Sequence, residues 1–202
     1  MNVLITCEES QRVCIEFRRK GHNAFSCDIM ECSGGHPEWH IQGDVLPLLN
    51  GRCSFTTMDG TEHRIDGKWD LIIAHPPCTH LANSGARHFA RKRENGEQET
   101  AIRFFAAILA AECVRIAVEN PMGIISGKYL MEHFPELCRE FGLPLKPSQI
   151  VQPWQFSICA EDNTEKTTGI WIRGDLPLLV PTQTSRPEIQ YFTWTDKNGR
   201  KK

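Results

Sequence analysis

The sequence predicts an α/β fold: an open sheet whose strands run mostly parallel. Three observations carry this. Short apolar runs recur at residues 3–5, 23–29, 69–74, 114–118 and 168–172, each of a length suited to a buried strand. Helical patterns stand between them, one after Glu8-Glu9-Ser10 and one over residues 100–112. Polar and turn-forming residues gather just past the strands. Alternating strand and helix is the pattern of a parallel α/β sheet. In such sheets, ligands are handled just beyond the carboxyl ends of the strands.

Each element has its own reason. Val3-Leu4-Ile5 is a strand that begins at once. In the first helical pattern Val13, Cys14 and Phe17 are apolar, Arg18, Arg19 and Lys20 are polar, and Gly21 is a stop. The second strand ends in Asp28. Residues 30–40 read as a loop, with Gly34, Gly35 and Pro37. Residues 45–49 form a short element after Gly43-Asp44, and residues 51–67 read as a polar excursion or hairpin. The strand at 69–74 is the clearest and ends abruptly in His75-Pro76-Pro77-Cys78. Residues 79–97 suggest a mobile basic loop. Residues 100–112 are Ala-rich and make the strongest helix. The strand at 114–118 leads into Glu119-Asn120-Pro121. Residues 1–175 are expected to form one domain, with 176–202 as a C-terminal extension whose basic end, 195–202, is frayed.

The chain has 202 residues and a formal net charge of −2. That length buries a core without staples, and that charge argues against an obligate nucleic-acid coat. No stretch approaches about 20 apolar residues, so no membrane span is expected. The N-terminus lacks the pattern of a secretory signal. Nine cysteines without such a signal read as cytoplasmic thiols rather than a disulfide framework. Cys27, Cys32, His36 and His40 could clasp a metal, as could His75, Cys78 and His80. Nonstandard spacing in the first set and two prolines in the second argue against both, and no metal is expected. Cys14, Cys113 and Cys138 read as core packing. Trp154 and Phe156 read as packing under the sheet before an aromatic platform for a base.

The chemistry concentrates at two strand ends. Two prolines after a buried strand hold Cys78 rigidly, which suits a positioned thiolate nucleophile. Glu119 ends the next strand, after a helix, so adjacent strands would bring it near Cys78. A thiolate and a carboxylic acid together suit attack on an electron-poor ring, the acid protonating a ring nitrogen. The segment ARHFARKR follows the nucleophile. Its Arg87, Arg91, Lys92 and Arg93 are candidates for phosphate contact, with Phe89 as an aromatic wedge.

DLIIAHPPC and IAVENP, in that order, resemble the Pro-Cys and Glu-Asn-Val motifs of the cytosine carbon-5 DNA methyltransferase family, and specifically its short phage-type relatives. Gly43-Asp44-Val45 resembles the family's Gly-Asp-Ile, and Asp28 matches the acidic residue that holds the cofactor ribose. KTTGIWIRG resembles the segment entering the late strand and adds Lys166 as a nucleic-acid contact. The resemblance implies a Rossmann-like methyltransferase sheet with helices on both faces. It also implies S-adenosylmethionine as cofactor, held by Thr6, Glu8, Asp28, Asp44 and Pro76, and Cys78 and Glu119 as catalytic residues. The implied substrate is cytosine, in DNA or as a cytosine nucleotide.

Three departures accompany the resemblance. The family's glycine loop is replaced by Thr6-Cys7-Glu8-Glu9-Ser10. The usual target-recognition domain does not fit in the about 50 residues between Glu119 and the late strand. The family's returning C-terminal helix has no obvious counterpart. A catalytically inactive nucleotide- or partner-binding protein on the same scaffold is the alternative. A zinc-dependent deaminase lacks its His-x-Glu and Cys-x-x-Cys signature.

Overall fold

The computed structural model describes residues 1–159 and 163–189. The basic end expected to fray, 195–202, lies outside them. Seven strands form the main sheet: β1 (Asn2–Thr6), β2 (Asn23–Asp28), β3 (His40–Gln42), β6 (Leu71–Ala74), β7 (Ile116–Pro121), β8 (Gln149–Val151) and β9 (Thr168–Arg173). Their order is β3-β2-β1-β6-β7-β9-β8. The first five run parallel. β9 runs antiparallel to both β7 and β8. This is an open, mostly parallel Rossmann-like sheet.

Helices cover both faces because strand side chains alternate. Val3 and Ile5 of β1 face one side with Leu71 of β6, and there they meet Cys14 and Phe17 of α1 (Arg12–Arg19). Leu4 and Ile72 face the other side. They meet Ile102, Phe105 and Ile108 of α3 (Glu97–Ala110), with α4 (Lys128–His133) and α5 (Pro135–Phe141) packed on the same layer. Fully burying a side chain such as Phe105 contributes about 1.5–3 kcal/mol.

The polar excursion is a hairpin, β4 (Cys53–Thr56) and β5 (Glu62–Ile65), outside the main sheet. It docks through aromatics: Phe55 meets Phe25 edge-on with centroids 5.0 Å apart. Buried Trp69 donates its indole N–H to Leu48 O at 2.7 Å.

Two expectations are corrected. The loop read over 30–40 runs at its end into a strand, β3, ahead of Gly43-Asp44. The short element at 45–49 is a 3-10 turn over Leu46–Leu48, since Pro47 has no N–H to give a ladder. The stretch 79–97 is not a mobile loop. It folds into a 3-10 turn over Asn83–His88, the short helix α2 (Phe89–Glu94) and the start of α3. Between β7 and the late strand the chain forms α4, α5 and β8. Beyond β9, Leu176 packs on the α1 face, and Leu179 and Gln149 exchange two hydrogen bonds. Gln155 O accepts from the backbone N–H of Thr182 and Gln183.

Candidate active site

The two motifs of interest leave neighbouring parallel strands. Ala74 of β6 lies opposite Val118 of β7, so His75 and Glu119 emerge side by side. The His75 N–H donates to Thr6 O at 3.0 Å, which ties the same point to β1. Buried Asn120 donates its amide to Pro76 O at 2.7 Å. Proline contributes no N–H, but its carbonyl remains a full acceptor. The turn after the prolines is closed on Cys78 O, which accepts from the N–H of Leu81 and of Ala82 at 2.9 Å each.

The two loops then pair with each other. Ile124 N–H donates to Leu81 O at 2.9 Å and Asn83 N–H to Met122 O at 3.3 Å. Gly123 sits where a Cβ would lie 2.0 Å from Leu81 O, so only glycine lets the backbones approach this closely. Cys78 is half-buried, and so is Glu119, whose Oε2 lies 3.5 Å from His75 Nδ1. His75 is a functional candidate that the sequence reading underused. Its place directly before the two prolines was the available signal.

A cavity of about 690 Å³ opens beside these loops. Asp28, at the end of β2, and Asp44, just past β3, form one wall. Pro77 and His80 form another, and Glu97, Ala101 and Phe104 of α3 close the third. Cys7 stands at the base. The crevice lies where the chain order reverses, between β1 and β6, the usual ligand position in an open α/β sheet. The charged lining residues are Asp28, Asp44 and Glu97, joined by the imidazole of His80; no lysine or arginine among the described residues lines it.

The turn that would carry glycines is built differently. Cys7 takes φ 58° and Gln11 φ 57°, both left-handed. Cys7 N–H donates to Cys27 O at 2.7 Å. Burial pushes its thiol up to about 11, so it is a neutral wall group at physiological pH. Gln11 is fully buried: its side chain donates to His36 O at 2.8 Å and accepts from His36 N–H at 3.0 Å. Gly34 makes the close approach here, from another loop, with a would-be Cβ 2.6 Å from Ser10 O.

The remaining expected residues divide. Thr6 is fully buried in β1 and does not line the cavity. Glu8 turns inward to α1, with Oε1 accepting from Val13 N–H at 2.6 Å and Oε2 from Cys14 N–H at 3.2 Å. Pro76 is buried behind its neighbour, and Pro77 takes the place at the cavity. Lys92 is corrected outright: it is 6% exposed and its ammonium donates to Thr79 O, so it faces no phosphate. Phe89 is buried and is no wedge. Arg93 is half-buried and donates to Tyr129 Oη at 2.8 Å. Arg87, Arg91 and Lys166 are exposed.

Two of the possible metal ligands, His40 and His36, have protein partners instead. His40 bridges Ser26 Oγ at 2.8 Å and Met30 O at 2.9 Å, and His36 stacks on Trp39. No cluster of three His, Cys, Asp or Glu able to hold a metal occurs among the described residues. Cys14 and Cys113 are buried, and Cys138 packs against the core. Trp154 and Phe156 are half-buried in a turn after β8 and do not line the cavity. No helix among the described residues is long and apolar enough to cross a membrane.

No family model matches the chain, and no curated protein matches it. Among solved structures it is similar to a DNA modification methyltransferase encoded within a prophage of E. coli. The TM-score is 0.40 and the identity 14%, over 85% of this chain and 46% of that one. It is also similar to an rRNA methylase from Escherichia coli, with TM-score 0.34 and 16% identity over 86% of this chain and 57% of that one. The chain thus spans about half the length of each. At these values neither bears on the chemistry of the site.

Proposed function

We propose that the chain is an S-adenosylmethionine-dependent methyltransferase that acts on carbon 5 of cytosine, in DNA or as a cytosine nucleotide, through a covalent bond to Cys78. One observation carries the reading. A cavity at the switch point of the sheet is walled by three carboxylates and, among the described residues, by no lysine or arginine, on the same sheet edge as Cys78 and Glu119. Dinucleotide sites in such sheets hold phosphate on a glycine-rich turn. This cavity repels phosphate and suits a ligand rich in hydroxyl and amino donors, with positive charge. S-adenosylmethionine fits that description. Asp28 and Asp44 would hold its hydroxyl and amino donors, and Phe104 and Val45 offer apolar surface to its base.

Bound there, S-adenosylmethionine would supply an electrophilic methyl group. The chain's own residues do the rest. Cys78 Sγ, as thiolate, adds to carbon 6 of the cytosine and raises electron density at carbon 5. Glu119 holds a proton at ring nitrogen 3, which accepts the charge of the addition. His75, beside Glu119, fixes where that carboxyl points. Once carbon 5 has taken the methyl group, its proton passes to solvent, the freed pair restores the ring double bond, and Cys78 leaves with the C–S pair as thiolate. In duplex DNA the base must leave the stack for Cys78 to reach carbon 6. Arg87, Arg91 and Lys166 are exposed cations that could meet its phosphates.

The test is a covalent trap. Fluorine at carbon 5 cannot leave as a cation, so a 5-fluorocytosine substrate with the methyl donor should stay attached to Cys78, as read by mass spectrometry. Cys78→Ser should abolish the adduct, and Glu119→Gln should slow it by about 10²–10⁴-fold. DNA and free deoxycytidine nucleotides are both offered as substrates. If neither traps while S-adenosylhomocysteine still binds, the catalytically inactive binding reading replaces this one.

A further inference from the structure

His80 and Glu97 face each other in the cavity wall, His80 Nδ1 3.7 Å from Glu97 Oε2. That is too long for a hydrogen bond. Both atoms are buried and have no hydrogen-bond partner among the described residues. Buried polar atoms are almost always partnered, so the pair as it stands is incomplete. Each side chain is about a third exposed, 31% for His80 and 35% for Glu97, and so each keeps a face toward the cavity.

The surroundings say what would complete it. Glu97, Ala101 and Phe104 stand four and then three residues apart on α3, and all line the cavity. They therefore share one helix face. That face is apolar at Ala101 and Phe104 and polar at Glu97, where His80 joins it. A flat heteroaromatic ring on the apolar part would turn an edge toward the pair. A carboxylate accepts only, and an imidazole N–H donates. The matching edge has an amino donor next to a ring-nitrogen acceptor.

We infer that His80 and Glu97 read the amino edge of a 6-aminopurine: Glu97 accepts from the 6-amino group and His80 donates to the adjacent ring nitrogen. A 6-oxopurine reverses both groups and sets its oxygen against the carboxylate. The inference rests on the adenosyl reading of the cavity and changes one part of it. The base is read from α3, not by Asp44, whose Oδ1 already accepts from Leu46 N–H at 3.0 Å.

Calorimetry of the full chain with S-adenosylhomocysteine and S-inosylhomocysteine tests this. The wild type should prefer the adenosyl compound by at least about tenfold, since a mismatched edge leaves buried polar groups unpaired. Glu97→Gln, whose amide can donate to an oxo group, should bring the ratio close to one. His80→Phe leaves the start of α3 intact and should erode the same preference. Asp44→Asn should weaken both compounds alike. A preference that survives in Glu97→Gln and His80→Phe, or that collapses in Asp44→Asn, overturns the inference and leaves the adenosyl reading standing. Failure of the wild type to bind either compound overturns both.

Discussion

Glu8 illustrates how one side chain answers to its backbone before any ligand. The first turn of a helix leaves N–H groups without partners, and α1 begins with no side-chain cap of the usual kind from Gln11. Glu8 supplies the acceptors from below, one oxygen to Val13 and one to Cys14. Burial raises its pKa, with these two hydrogen bonds and nearby His75 opposing the rise. A carboxyl whose folded value is raised stabilises the fold fully below its unfolded value, and that contribution is lost as pH rises through the folded value. Melting temperature should therefore decline as pH climbs from the ordinary glutamate range through Glu8's raised value. Glu8→Gln should flatten that decline and cost about 1 kcal/mol from the lost second acceptor. The sequence places Glu8 in the loop after β1, and the family resemblance assigns it to the cofactor rather than to α1. Its inward turn depends on the left-handed Cys7 and Gln11, conformations that neither residue type advertises.

Among the elements, the contact between the Cys78 loop and the Glu119 loop depends on Gly123. Gly123→Ala would force a Cβ into Leu81 O, which is backbone and cannot swing aside. The expected cost is about 1–3 kcal/mol, read by urea denaturation. The covalent trap at Cys78 should weaken in the variant even where it remains fully folded, because Cys78 and Glu119 move apart. The strands that carry these loops were legible, since Val3-Leu4-Ile5, Leu71-Ile72-Ile73-Ala74 and Ile116-Ala117-Val118 are unbroken apolar runs. β3 was not legible. His40-Ile41-Gln42 holds one apolar residue, and its pairing with β2 alone sets it at the sheet edge. α2 was hidden by its charge, because FARKRE looks like solvated chain until Phe89 and Lys92 are seen to be buried. The ends of β2 and β6 pointed to Asp28 and Cys78. The third wall of the cavity, on α3, came from a helix read only for its core face.

For the molecule as a whole, Arg173 joins the last strand to the helical layer. It is half-buried at the end of β9, and its guanidinium donates to Leu109 O at 2.6 Å and to the carbonyls of Ala111 and Cys113. These carbonyls belong to the end of α3 and the turn beyond it, where no intrahelical donor reaches. Arg173→Met should lower global stability by about 2 kcal/mol or more, since the carbonyls lose a charged donor. The measurement is the denaturant midpoint. A loss confined to β8 and β9 in hydrogen exchange would mean that the sheet and helix layers hold without this link.

The place of β9 also sets an order of assembly. It lies between β7 and β8 in space but follows both in the chain. A ribosome delivers the chain from its N-terminus, so β7 emerges with one edge unpaired and β8 has nothing to join. The parallel half, from β3 through β7, can close on itself first, with Asp28, Asp44, Cys78 and Glu119 already in it. The edge that bears Glu119 stays open until Thr168–Arg173 arrives. An unpaired strand edge is the surface on which nascent chains associate wrongly. For this protein, the period of risk during synthesis falls at the strand that carries the candidate acid.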